Sequence, residues 1–518
     1  MLHSEASHPE LKPIGKVAGV RAIREDKGSG LFLTRREEFF DTLTRRCNKK
    51  PPVLYEPQKA IHHTPMSAAM QIPVERVPLS REQEEWIKRA WSQIDEGRLA
   101  QLDLRMATIP SPTGREKELA QFLASYLADI GLKSFYQPID SEQGNAVGRL
   151  DGTGDGPELL LYAPIDTAFT GREEEDCPGV GLELSREMKG PARIEADRVI
   201  GPGAENPKGY ATCIIAAAEA VRRANIPLKG SVIVGLGAGG MPTNKPPSLS
   251  RSNAGQGTGC AFMLEQGIRG DFAVIAKPGY SVAWEEVGLC WFKVQVKGAL
   301  GYTGVRHVID YRNSIIDAAE VVLALERWFP EYTRRNSSGL VAPQGAINAI
   351  EAGWSYKPAF NPAICTLYVD LRISPRTDPM DAKHQFAEAL AQIQKDHPGV
   401  TLEWEMILSI PGGRTDPRNW IIQSCMRAWE YVEGKSHVPR AGTSGATDAN
   451  VLRHWGVPTA RLGMPRPRDA GAGGRAAFSM DMCPIAGMKQ LTKCLIYSII
   501  DTCTRDRAEV GLERETKS

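Results

Sequence analysis

The 518-residue chain is poor in histidine, with nine, and it has no CxxC pair and no apolar run approaching the length of a membrane span. It also lacks net charge. Its 63 Lys+Arg and 62 Asp+Glu leave +1, so no global field would gather nucleic acid or an anionic membrane, and neither is expected as a partner. The opening residues, Met1-Leu2-His3-Ser4-Glu5, lack the basic stretch and apolar stretch of a secretory signal. Ten cysteines, scattered from Cys47 to Cys503, then read as reduced thiols of a cytoplasmic protein. With 42% hydrophobic and 24% charged residues, the composition is that of a globular chain able to bury several cores.

Residues 1–80 are rich in charge and proline, as in Asn48-Lys49-Lys50-Pro51-Pro52, and read as an arm. It carries one short helix, with Thr34 and Glu37 as a capping box and Phe39, Phe40 and Leu43 on one face. From 81 to 288 the pattern is regular. Ser80 and Gln83 cap a helix running to about Met106. Thr113 and Glu116 form a further capping box before the amphipathic run Leu119–Ile130, which Gly131 stops. Glu158–Ala163, Ser231–Leu236 and Asp271–Lys277 are continuous apolar runs, the mark of strands buried on both faces. Asn206-Pro207 is an N-cap and N1 pair opening a helix to about Arg223. Strands alternating with helices predict an α/β fold with a mostly parallel central sheet and helices on both faces.

At 289–412 the texture changes. Phe292, Val294 and Val296 alternate with Lys293, Gln295 and Lys297 as a half-wet antiparallel strand. A helix near Asn313–Trp328, a strand at Ile364–Ile373, a helix near Pro379–Ile393 and a strand at Val400–Leu408 complete a β-α-β-β-α-β-like, ferredoxin-like α+β block inserted into the first domain. The α/β pattern resumes over 413–505. Asp416-Pro417 starts a helix, Thr459–Leu462 is a strand, and Ile485–Asp501 is the last helix. Residues 506–518 read as a charged, frayed tail.

Four segments carry a resemblance: Ile109-Pro-Ser-Pro-Thr-Gly-Arg-Glu116; Leu159-Leu-Leu-Tyr-Ala-Pro-Ile-Asp166-Thr; Gly201-Pro-Gly-Ala-Glu-Asn206-Pro-Lys208-Gly209; and Thr443-Ser-Gly-Ala-Thr447-Asp448 followed by Gly456-Val-Pro458. Their order and spacing resemble the aminoacylase, carboxypeptidase G and succinyl-diaminopimelate desuccinylase family of dinuclear-zinc amidohydrolases, over about residues 85–505. The resemblance implies that the inserted block is a lid and dimerisation domain. It also implies a homodimer, with Phe292–Val296 as a candidate edge for pairing, and a hydrolase acting on a small amide.

The family's chemistry needs two zinc ions held by two His and several carboxylates, with a Glu as general base. Where the resemblance implies those groups, this chain has Pro164, Asn206, Gly239 with Gly240, Lys277 in Ala273-Val-Ile-Ala-Lys277-Pro278, and Phe478. Tyr302 stands where the inserted domain would supply a His. One amide, two hydrogens and one ammonium replace four carboxylates, so no metal and no other cofactor is expected.

Asp166 remains at the C-terminal end of a central strand, where open α/β sheets place their sites, and Lys277 would enter the same crevice. The candidate catalytic residues are Asp166, Lys277 and Tyr302. Lys277 would bind a carboxylate or oxyanion, or act as a base, and Tyr302 would donate to the oxyanion. Asn206, Arg372, Asp448, Gly239 and Gly240 are candidate contacts for a small-molecule substrate. Arg372 resembles the family arginine that holds a substrate carboxylate. Gly235-Leu-Gly237-Ala-Gly-Gly240 spells a dinucleotide motif, but Pro242, Pro246 and Pro247 forbid the helix such a site needs, so a pocket-lining loop is expected. His62-His63 is no metal pair, since adjacent side chains diverge. Three readings stay open: a metal-independent hydrolase, a catalytically silent relative that binds or assembles, and a lyase or isomerase reusing the vacated pocket.

Overall fold

The computed structural model describes residues 72–512 except Leu182, 245–250 and 466–479, all within the unit Pro65–Ser518. The helix read at Phe39–Leu43, the pair His62-His63, and Pro246, Pro247 and Phe478 lie outside the described residues.

The main sheet has six strands: β1 (Lys133–Pro138), β2 (Gly144–Leu150), β3 (Leu159–Pro164), β4 (Val232–Gly237), β5 (Phe272–Ala276) and β10 (Thr459–Leu462), in the order β1-β2-β4-β3-β5-β10. β4, β3, β5 and β10 run parallel; β2 and β1 complete the sheet antiparallel. Every residue of β3, β4, β5 and β10 is buried, because helices cover both faces. On one face, α4 (Tyr210–Arg223) and α10 (Ile485–Cys503) pack over Leu161, Val234 and Val274. On the other, α5 (Thr258–Glu265) and α9 (Ala449–His454) cover Leu160, Tyr162, Ile233 and Ile275.

The inserted block is a second, antiparallel sheet with its own core. Its strands are β6 (Gly288–Lys297), β7 (Gly345–Ala352), β8 (Ile364–Ile373) and β9 (Thr401–Ile410), ordered β7-β8-β6-β9. Helices α6 (Ser314–Asn336) and α7 (Pro379–Asp396) pack over it, with Phe292 stacked on Phe386 at 4.2 Å between ring centroids. The order of elements is β-α-β-β-α-β. β7 supplies the strand that the alternation of the sequence left unmarked. The short strands Glu285–Glu286 and Gly413–Arg414 pair antiparallel where the chain enters and leaves the block.

Several expectations need correction. Phe292–Val296 is no edge: β6 is bonded on both sides, to β8 and β9, and the free edges belong to β7 and β9. The capping box at Ser80 and Gln83 forms, but the helix stops at Trp91, and Asp95 caps a second, α2 (Glu96–Thr108). The box at Thr113 and Glu116 does not form. The next helix, α3, is Lys117–Asp129, and both side chains are engaged elsewhere. Asp416 caps only a turn, and Asn419 caps α8 (Trp420–Glu433). The tail is packed as far as the described residues run: Arg507 bonds Asp271 through two nitrogens at 2.8 Å, and Val510 is buried.

Candidate functional site

The parallel strands end side by side, so the residues following β3, β4 and β5 meet. Asp166 lies two residues past β3 and has no exposed surface. Its Oδ1 accepts from the Gly240 amide at 2.8 Å; its Oδ2 accepts from the Met241 amide at 2.8 Å and the Thr113 hydroxyl at 2.7 Å. Gly239, at φ +64°, donates its N–H to Glu116 Oε1 at 3.0 Å. A side chain at Gly240 would force its surroundings to move, because its Cβ would lie 2.3 Å from the Pro164 ring. The glycines therefore present backbone donors to two buried carboxyls. Burial, and then the Asp166 charge, push the Glu116 pKa well up, and its Oε2 has no partner among the described residues.

Lys277 follows β5 and is 5% exposed. Its ammonium donates to Asn206 Oδ1 at 3.0 Å. The pairing with Asp166 expected from the sequence is thus not a direct contact. Asn206 has the extended backbone of a residue preceding a helix, but its side chain serves Lys277 rather than capping. Burial lowers the Lys277 pKa, while Asp448, Asp166 and Glu286 oppose that shift. Asp448, just before α9, receives the Tyr162 hydroxyl at 2.6 Å. Burial raises its pKa to about 7, against the pull of Tyr162 and Lys277. Below them, Glu286 accepts from the Thr447 hydroxyl at 2.6 Å, and Arg461 Nε stands 3.1 Å from it without hydrogen-bond alignment.

Asp166, Lys277, Asn206, Asp448, Gly239 and Gly240 are therefore gathered into one network at the strand ends, held by separate sets of hydrogen bonds that interact through charge; Asn206 and Gly240 are half-buried and the others buried. Tyr302 and Arg372 are not. Tyr302 is 48% exposed with its ring against Phe360, and Arg372 is tied to Asp370 at 2.7 Å; neither bonds the network among the described residues. No helix follows Gly240 through Asn244, and the next helix among the described residues begins at Thr258. Sequence reasoning passed over Glu116 and Thr113 as helix caps, Tyr162 as one more residue of an apolar strand, and Glu286. The detectable signal was polarity in buried company, as with Tyr162 inside Leu159–Pro164.

A cavity of about 10 Å³, on the scale of a single water, opens beside Asn206, lined by Thr167, Phe169, Gly203 and Asp481. Among the described residues, no three His, Cys, Asp or Glu side chains group as a metal-binding set. No described helix is long and apolar enough to cross a membrane.

This architecture is the fold of the M20 peptidases and amidohydrolases. The Saccharomyces cerevisiae dipeptidase Dug1p superposes with a TM-score of 0.62 at 12% identity, covering 82% of this chain and 100% of that one. The Sulfolobus solfataricus M20 metallo-carboxypeptidase Sso-CP2 gives 0.56 at 13%, covering 79% and 100%. In sequence, the chain is 23% identical over 360 residues to a Pyrococcus abyssi protein named as a LysW-lysine/LysW-ornithine hydrolase, spanning 69% of this chain and 82% of that protein. No family model matches.

Proposed function

We propose that the protein is a hydrolase of a small amide or related carbon–nitrogen compound that works without the zinc pair of its fold. The relatives and neighbours are hydrolases of such bonds by name, which supports the reaction class. The donor set supports the absence of zinc. A proline, an amide, two glycines and an ammonium do not fit two divalent cations, and the Lys277 ammonium is bonded at 3.0 Å to Asn206, the residue standing for the bridging ligand.

The observation that carries the reading is Lys277 itself, a buried cation at the strand ends beside Asp448. Its charge can face the oxygen that becomes negative when an amide carbon is attacked. Asp448, titrating at about 7, can hold or release a proton at working pH. Asp166, fixed by three donors, is with Asp448 and Glu286 one of the carboxyls that oppose the loss of the Lys277 charge. Tyr302 and Arg372, exposed or half-buried on the inserted domain, would contact substrate only from that domain.

A second reading is favoured by the burial of Asp166 and the satisfaction of its carboxylate by three donors. These suit a filled-in centre in a protein that binds or assembles. The test is hydrolysis of N-acyl amino acids, ureido acids and small cyclic amides by chelator-treated protein and by Lys277→Met. Turnover that survives chelation and falls at least a hundredfold in the variant supports the enzyme. Absence of turnover across the panel favours the second reading.

A further inference from the structure

Gln256 combines two features that each oppose folding. Its φ is +67°, the left-handed region that residues with a full side chain avoid. Both polar atoms of its carboxamide are shielded from solvent and have no hydrogen-bond partner among the described residues. Glycine would remove the first cost and an apolar side chain the second.

The residue sits on the loop that frames the buried network. Its N–H donates to Met241 O at 3.1 Å, the following Gly257 N–H donates to Gly239 O at 2.7 Å, and Ala254 O accepts from Gln143 Nε2 at 2.7 Å. The amides of Gly239, Gly240 and Met241 are the donors that hold Glu116 and Asp166. A Cβ on Gly257 would lie 3.2 Å from Asp448 Oδ1. Strain and an unpaired polar group thus coincide at the edge of the candidate site, the combination that marks a functional residue.

A carboxamide offers an N–H donor and a C=O acceptor side by side. A carboxylate partner would leave its oxygen unmatched, and an ammonium would leave its nitrogen unmatched. An amide or ureido group, with C=O and N–H along one edge, satisfies both. We propose that Gln256 is a binding residue for the C=O/N–H edge of an amide- or ureido-bearing substrate; this rests on the reading of the centre as an amide-hydrolysing site.

The test uses the full chain, Gln256→Gly and Gln256→Met, melted with and without millimolar N-acetylglycine and N-carbamoylglycine. Without ligand, Gln256→Gly is expected to melt about 2 °C above the wild type. At least one probe is expected to raise the wild-type midpoint, and both variants to lose that shift. A lower midpoint for Gln256→Gly alone would overturn the proposal by giving the side chain a structural role. Equal shifts in wild type and variants, or no shift in the wild type with either probe, would also overturn it. Assaying the same samples for released acetate or ammonia separates the two claims: a Gln256-dependent shift without product leaves the binding role standing and removes the hydrolase.

Discussion

Lys277→Met keeps most of the side-chain length and removes the ammonium, so it asks what the buried charge does. Asp448, 2% exposed, then loses the cation that draws its pKa down. A buried carboxylate that loses its cation costs at most about 3–5 kcal/mol, and among the described residues Asp448 keeps only the Tyr162 hydroxyl at 2.6 Å. It can escape by taking a proton, and its pKa is already about 7. That value lies above the unfolded one of about 3.9. Ionisation of Asp448 therefore destabilises the fold as pH rises between the two values, and the loss is complete above the folded pKa. In the wild type that window closes near pH 7. Without Lys277 the folded pKa moves up and the window extends. The lowered pKa of Lys277 acts in the same sense: wild-type stability gains as pH rises toward the lysine's unfolded value, and the methionine variant forgoes that gain. The deficit of Lys277→Met should thus be small at pH 6 and approach about 3–5 kcal/mol at pH 9. Adding Asp448→Asn removes the stranded charge and should recover most of it. Thermal midpoints of the wild type, both single variants and the double, at the two pH values, measure this. A deficit independent of pH, or a double variant no more stable than Lys277→Met at pH 9, would refute the coupling.

Two further outcomes follow from the packing. A Cβ at Gly237 would fall 2.0 Å from the Tyr162 hydroxyl, so Gly237→Ala should cost about 1–3 kcal/mol by overpacking, and Tyr162→Phe in the same chain should restore part of it in a thermal melt. We also expect a homodimer through the inserted domain, now at the free edge of β7, whose eight residues carry one charge, Glu351, beside the exposed Ile316 and Leu323 of α6. Ile316→Asp with Ile350→Lys should halve the mass seen by light scattering, and a monomeric wild type at micromolar concentration would contradict the dimer.

Where burial is two-sided, the fold was legible. The apolar runs at 158–163, 231–236 and 271–277 lie within a residue or two of β3, β4 and β5, and Thr459–Leu462 and Ile364–Ile373 coincide with β10 and β8. Alternation marked β6 as half-wet, but it could not say which strands flank it, because an edge strand and a central one share the same period. β7, Gly-Ala-Ile-Asn-Ala-Ile-Glu-Ala, escaped notice because its alanines carry little hydrophobic contrast. Capping signals misled where tertiary partners competed. Thr113 gives its hydroxyl to Asp166, Glu116 takes the Gly239 amide, and Asn206 takes the Lys277 ammonium. At the site, position along the strands was enough to bring Asp166, Asn206, Lys277 and Asp448 together. Tyr302 and Arg372 were assigned through the inserted domain, and neither bonds the network among the described residues. Gln256 left no trace in the sequence pattern, because its two costs, a left-handed backbone and an unpaired carboxamide, arise only in the folded chain.

The central claim is that the Lys277 ammonium stands where the fold's metal charge would be, and metal content tests it most directly. Protein purified without chelator and measured by plasma mass spectrometry should hold far less than one zinc, cobalt or manganese per chain, and added zinc should leave its melting midpoint unchanged. Two divalent ions per chain, with a midpoint that falls on chelation, would contradict the account and return Lys277 to the role of a bystander.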